Sequence, residues 1–301
     1  MTIPIDDVRI IDFRVRPPIA LWPEGQAPTE NMDQYDAVLG TSEKINAVRD
    51  VDGLLRQMDA AGVDHAVMHA EYEHGDLADH LNAAVAAVVQ QYPDRFTGIG
   101  AISLEGFTIP RALKQIDQCA EYGFIGLSIQ PAFFGMTIDD KRLYPVYAKA
   151  MEQGLLVALH TGINYRPDCP MAGENPILLD EIACAFPGLT LVASHAGWPH
   201  VAEMVAMARK HPNIYMEFGG LAPKYIGTPG SGWEMMRRFM DSLLSSQIVL
   251  GTDWPVMDHN RVVEEWRALG LKDATLERLL SENARRLINA SGEHNYNYKH
   301  G

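Results

Sequence analysis

Cysteine, charge and long apolar runs are all scarce in this chain of 301 residues, and each scarcity excludes something. The three cysteines, Cys119, Cys169 and Cys184, show no CxxC spacing and no even number to pair. That excludes a disulfide-stapled scaffold and fits a reducing compartment. Charged residues are 21% of the chain, too few for a disordered polymer, while 47% is hydrophobic, enough to fill a large core. No apolar run approaches the roughly 18 residues needed to cross a bilayer. The opening MTIPIDDVRI lacks the basic and apolar segments of a signal peptide. The expectation is a cytoplasmic protein that does not engage a membrane. Basic residues are in deficit as well: 25 Lys plus Arg against 39 Asp plus Glu leave a formal charge of −14. Such a surface repels nucleic acid phosphates and anionic membranes, without preventing a small anion from binding beside a local pair of arginines.

What the sequence does have is an alternation of short β-type apolar runs with longer helical patterns, which predicts a parallel sheet with helical crossovers. Eight strand candidates follow in order: VRIID from Val8, HAVMHA from His65, FTGIGAI from Phe96, FIGLSIQ from Phe124, LLVALH from Leu155, LTLVASH from Leu189, IYMEF from Ile214 and IVLGTD from Ile248. Most are rich in Val, Ile and Leu, as strands buried on both faces require. Helical patterns between them stop at Gly62, before Pro93, at Gly123 and at Gly154, and ATLERLLSENARRLINA closes the chain as one long helix. No linker rich in Pro, Gly or Ser divides the sequence. The fold expected is α/β, a single (β/α)8 TIM barrel over residues 1–290, followed by a polar tail at 291–301. Long segments after strands one, five and seven (17–49, 161–176 and 219–233) stand over the C-terminal face of such a barrel, where lids and substrate walls form.

Polar residues at the ends of apolar strands are costly unless used or paired. Strand one ends in DFRVR, whose Arg14 and Arg16 are two apart and so point the same way in an extended segment. Strands five, six and eight end in His160, His195 and Asp253. Two imidazoles and a carboxylate brought together suffice for a facial metal triad with open positions, around zinc, manganese or iron, whose bound water becomes a nucleophile. Alternatively Asp253 serves as a general base, or the two histidines merely tie the barrel mouth to its loops. Arg166, Trp198 and Trp254 are further candidates for holding a substrate, with Trp22, Tyr165 and Tyr225 as aromatic lining.

The set DFRVRPP, LHTG, SHAGWP, GTDWP and ENARRL resembles the amidohydrolase 2 branch of the amidohydrolase superfamily, TIM-barrel metal-dependent hydrolases and decarboxylases, and it runs in the right order from Ile10 to Leu287. The resemblance implies metal ligation by His160 and Asp253, with His195 a second ligand or the catalytic base. One departure matters. The family's His-x-His after strand one is here Arg14-Val15-Arg16, and a guanidinium stays protonated with no lone pair to offer a metal. Strand four ends in Ser128-Ile129-Gln130 and lacks the lysine that bridges two metals in binuclear relatives. Two readings of the arginines follow. In one they clamp the carboxylate of a small organic acid or lactone-type substrate, with His195 and Asp253 as acid–base groups and either one divalent ion or no metal. In the other they pair with Asp12, Glu71, Glu217 or Asp253 and seal the site. The reactions implied are hydrolysis, or decarboxylation or hydration of a similar acid. The alternative outside catalysis is a silent anion-binding relative or hetero-oligomer partner, and a homo-oligomer is compatible with all of these.

Overall fold

The computed structural model describes residues 9–27, 43 and 48–297, with the side chains of 291–297 excepted. Every expected strand forms: β1 (Ile11–Val15), β2 (His65–His69), β3 (Phe96–Ile99), β4 (Gly126–Ile129), β5 (Leu156–His160), β6 (Leu191–Ser194), β7 (Ile214–Glu217) and β8 (Ile248–Val249). A helix follows each in turn: α1 (Val51–Ala61), α2 (Ala78–Gln91), α3 (Ile109–Glu121), α4 (Tyr144–Glu152), α5 (Leu179–Ala185), α6 (Val201–Lys210), α7 (Glu234–Met240) and α8 (His259–Ala268). All strand pairs are parallel, in runs β1-β2-β3 and β4 to β8. The runs join through Ile125 N–H to the Gly98 carbonyl and Ser128 N–H to the Gly100 carbonyl. Phe13 N–H to the Leu250 carbonyl and Asp253 N–H to the Arg14 carbonyl close the ring between β8 and β1.

The barrel is filled rather than hollow. Each strand or its immediate lead-in sends at least one apolar residue, among them Phe13, Val67, Ile99, Leu156 and Val192, into one buried cluster that also takes Ala284 and Leu287 from the last helix. A larger cluster packs the helices onto the outside of the sheet. The polar strand-end residues therefore sit above a packed apolar layer.

Local signals explain the helix limits. Asp50 caps α1 by accepting from Gly53 N–H, and Gly62, at φ 70, ends it in the left-handed conformation that favours glycine. The last helical pattern departs from expectation. It breaks into α9 (Asp273–Glu277), a π-helical turn (Arg278–Glu282) and α10 (Asn283–Asn297). Asn283 Nδ2 donates to the carbonyls of Ser245 and Ile248, pinning the turn to the foot of β8. Helix α10 continues to Asn297, through most of the segment read as a tail; residues 298–301 lie outside those described. So does much of the long segment after β1, at 28–42 and 44–47. Among the described residues no helix is long and apolar enough to cross a membrane.

Candidate active site

The strand-end residues converge as the barrel geometry demands. One cleft is lined by Arg16, His160, Ile163, Tyr165, His195, Gly220, Leu221, Asp253 and Val256. Two of these residues, His195 at φ 60 and Asp253 at φ 54, sit in the left-handed region without being glycine. Such backbone costs on the order of 1–3 kcal/mol each and survives where the surroundings over-determine it, most often at functional sites.

Asp253 is the hub. Its Oδ1 accepts from Nε of Arg14 at 3.1 Å and from Nε of Arg16 at 2.8 Å. Burial alone would raise its pKa, but the two guanidiniums outweigh that and hold the carboxyl well below its usual range. Arg14 also reaches Glu71 at 2.9 Å and lies 3.7 Å from Glu217, and its side chain is 0% exposed. Arg16 places Nη1 2.5 Å from Glu73 and Nε 3.2 Å from Glu71. Glu71 is held in turn by Ser128 Oγ and Gln130 Nε2, so the strand-four end that lacks the bridging lysine donates hydrogen bonds instead. Glu217 has burial as the main influence on its carboxyl, which is pushed up to about 8.

The histidines are oriented by different partners. His195 Nδ1 lies 2.7 Å from the Gly219 carbonyl, so this nitrogen carries the hydrogen and Nε2 holds the lone pair. Burial first, then the charge of Arg14, lower its pKa well below the ordinary value, so the ring is neutral. His160 stacks edge-on to His195 with ring centroids 4.6 Å apart. Its Nδ1 sits 2.7 Å from Oε1 of Glu174, a fully buried carboxylate. That contact is short but poorly aligned for a hydrogen bond. Glu174 is itself fixed by Asn164 Nδ2 at 2.6 Å.

The expected clamp needs one correction. Arg14 lies behind the cleft, enclosed by three carboxylates, and Arg16 alone of the pair lines the cavity. Asp12 is not among Arg14's side-chain partners. It accepts from the Arg14 backbone N–H and from Thr252, and lies 3.2 Å from His259. Arg166 is turned to Asp168 and the Glu73 carbonyl, and Trp254 packs with its indole N–H on Gln57, so neither lines the cleft. Trp22 likewise donates to the Pro17 carbonyl. Trp198 and Tyr225 line a second chamber with Leu221, Trp233 and Met257, which shares Gly220 and Leu221 with the cleft. Glu73 and Glu174 were missed by sequence reasoning. Glu73 had a signal, because Glu71-Tyr72-Glu73 after β2 mirrors Arg14-Val15-Arg16 on the neighbouring strand; Glu174 had none.

A divalent ion at the family position does not fit this donor set. The strand-one donors are cations, and Asp253 Oδ1 is shared by two N–H groups. Among the described residues, three ligand atoms within 4.8 Å of one another occur at Asp180, Cys184 and His211, on the outer helices; His160, His195 and Asp253 do not gather so.

Comparison with known proteins agrees with this architecture. The amidohydrolase family model matches residues 20–289. An uncharacterised TIM-barrel protein of Bordetella bronchiseptica superposes with a TM-score of 0.78 at 29% identity, covering 94% of this chain and 99% of that one. A 5-carboxyvanillate decarboxylase of Novosphingobium aromaticivorans, solved with manganese and 4-hydroxy-3-methoxy-5-nitrobenzoic acid, gives 0.67 at 17% identity over 94% and 96% of the two chains. A 2-amino-3-carboxymuconate-6-semialdehyde decarboxylase of Dictyostelium discoideum is 30% identical over 86 residues, 28% of this chain and only 23% of that protein. With the family matched over nearly its whole length and the barrel in place, the chain belongs to the amidohydrolase family.

Proposed function

We propose that the protein is a hydrolase of small carboxylated organic substrates, of lactone or ester type, acting at the cleft between Arg16, His160, His195 and Asp253. The observation that carries this reading is the state of His195: neutral, with Nδ1 committed to the Gly219 carbonyl and Nε2 left as an acceptor. An imidazole so fixed is a base for water. Nε2 takes a proton from water as the oxygen attacks the carbonyl carbon. The ring C–O or ester bond then breaks, and the leaving oxygen recovers the proton from His195. Arg16, the cation at the cleft wall, attracts the substrate carboxylate. Asp253, kept ionised, holds Arg16 and offsets the charge that develops on His195. Glu174 fixes the ring of His160.

A second reading is a carboxy-lyase of the same acids, and the decarboxylases among the similar proteins favour it. There a C–C bond breaks, carbon dioxide leaves, and the carbanion takes a proton. The two reactions separate in one assay. A panel of carboxylated lactones, aryl esters and aryl acids is followed both by pH-stat and by trapping of released carbon dioxide. The hydrolase reading expects acid release without carbon dioxide, and a fall of about 10²–10⁴-fold in kcat for His195→Gln, the usual contribution of a general base. Carbon dioxide release in proportion to turnover would select the lyase. Absence of turnover across the panel would leave the silent anion-binding relative.

A further inference from the structure

The floor of the cleft carries more fixed charge than a proton-transfer site needs. Arg14, Arg16, Glu71, Glu73, Asp253 and Glu217 have side chains between 0% and 7% exposed. Carboxylates buried to that degree require cations or protons beside them. A metal centre would meet that need with one divalent ion. Here two guanidiniums occupy the position, carry the same total charge of two, and divide the carboxylates between them: Arg14 faces Glu71, Glu217 and Asp253, and Arg16 faces Glu71, Glu73 and Asp253.

We propose that the Arg14–Arg16 pair is a permanent, covalently tethered substitute for a divalent cation, and that this centre excludes divalent metals rather than merely lacking affinity for them. Three observations carry it. First, Oδ1 of Asp253 accepts two N–H groups at 2.8 and 3.1 Å. An ion at ordinary metal–oxygen distance from Asp253, about 2.0–2.2 Å, would lie beside both guanidiniums, where like charges in a buried site repel strongly. Second, the guanidiniums stay protonated and have no lone pair to offer an ion, so the strand-one position supplies charge but no ligand. Third, the arginines are not equivalent. Arg14 has no exposed side-chain surface and serves as structural charge, while Arg16 lines the cavity and is the member that meets a bound anion. A diffusible cofactor is thereby replaced by two residues whose loss would require mutation rather than chelation.

The inference rests on the cleft being the active site, but its test needs no substrate. The probe is manganese chloride added to the full chain after dialysis against chelator, with free Mn2+ read by electron paramagnetic resonance and the melting temperature recorded in parallel. Manganese is chosen because the surface group of Asp180, Cys184 and His211 includes a thiolate donor, which suits softer ions; Cys184→Ser serves as the control for that site. The wild type is expected to leave the free Mn2+ signal undiminished and its melting temperature unchanged. Arg14→His/Arg16→His, which restores imidazoles at both positions, is expected to bind at least ten-fold tighter. Should that variant not fold, Arg16→His alone takes its place, and no gain in Mn2+ binding over the wild type would overturn exclusion by the arginines. One equivalent of Mn2+ bound by the wild type and lost in Asp253→Asn would overturn the proposal while leaving the hydrolase reading intact. Exclusion of Mn2+ together with no turnover on the substrate panel would do the reverse.

Discussion

Arg14 is the residue on which the site most depends for its integrity, because it is wholly buried among Glu71, Glu217 and Asp253. Replacing it with an apolar side chain of similar length leaves several buried carboxylates short of a partner. Removing one member of a buried pair costs about 3–5 kcal/mol. Arg14→Met should therefore lower the free energy of unfolding in urea by about that amount, whereas Arg166→Met, at a part-exposed pair with Asp168, should change it by less than about 1 kcal/mol. Equal effects would mean that the buried cluster does not hold the floor together. The pairing was half legible in the sequence. Arg14 and Arg16 stood out as cations on an apolar strand, and Glu71, Glu217 and Asp253 were named as partners under the sealed-site reading. What the sequence could not show is which arginine faces the cavity. That depends on the strand register, and β1 shifts register against β2 between Asp12 and Val15.

At the level of elements, the barrel was readable because its strands are continuous apolar runs and most of its helices end at Gly or before Pro. The last helix was misread as one piece because its composition is helical throughout; the π turn is imposed by tertiary bonds from Asn283 that leave no local trace. The loop after β5 was recognised by length alone. Its path depends on Gly162, at φ 86, where an added Cβ would meet the Trp198 carbonyl oxygen at 2.1 Å. The same turn brings Gly162 N–H to the Glu174 carbonyl, so it sets where Glu174 meets His160. Gly162→Ala should destabilise the fold by on the order of 2–4 kcal/mol, combining positive φ with a clash against backbone. It should also move the chemical shifts of His160. Unchanged shifts at His160 would separate the loop path from the geometry of the cleft.

The whole molecule should carry a distinctive pH dependence of stability. Glu217 has an ordinary value of 4.5 and sits at about 8 in the folded protein. Between those values the folded state keeps a proton that the unfolded chain has released, so stability falls as pH rises through the window. His69, driven by burial from 6.5 to about 4, acts in the opposite sense: the unfolded chain binds the extra proton there, and stability falls as pH drops below 6.5. His195, also lowered, adds to that acid limb. His65, lowered by burial as well, makes three histidines that outweigh one glutamate below their ordinary value, and Glu217 acts above it up to about pH 8. The melting temperature is expected to peak at about pH 6.5, and Glu217→Gln is expected to flatten the alkaline limb alone. An alkaline limb unchanged in that variant would show that Glu217 is ionised in the folded protein. None of this was visible in a net charge of −14, which reports the surface and not the few carboxylates enclosed with arginine.

The proposed hydrolase needs His195 as a neutral base with Nδ1 protonated and Nε2 bare, a state that nitrogen-15 NMR of the histidine rings in the unliganded protein reads without substrate. The His195 Nε2 resonance is expected to keep the position of an unprotonated ring nitrogen from pH 8 to well below 6.5, with Nδ1 keeping its hydrogen throughout. A ring that titrates near 6.5, or that carries its hydrogen on Nε2, would rule out this role, because His195 would then have no fixed lone pair with which to activate water.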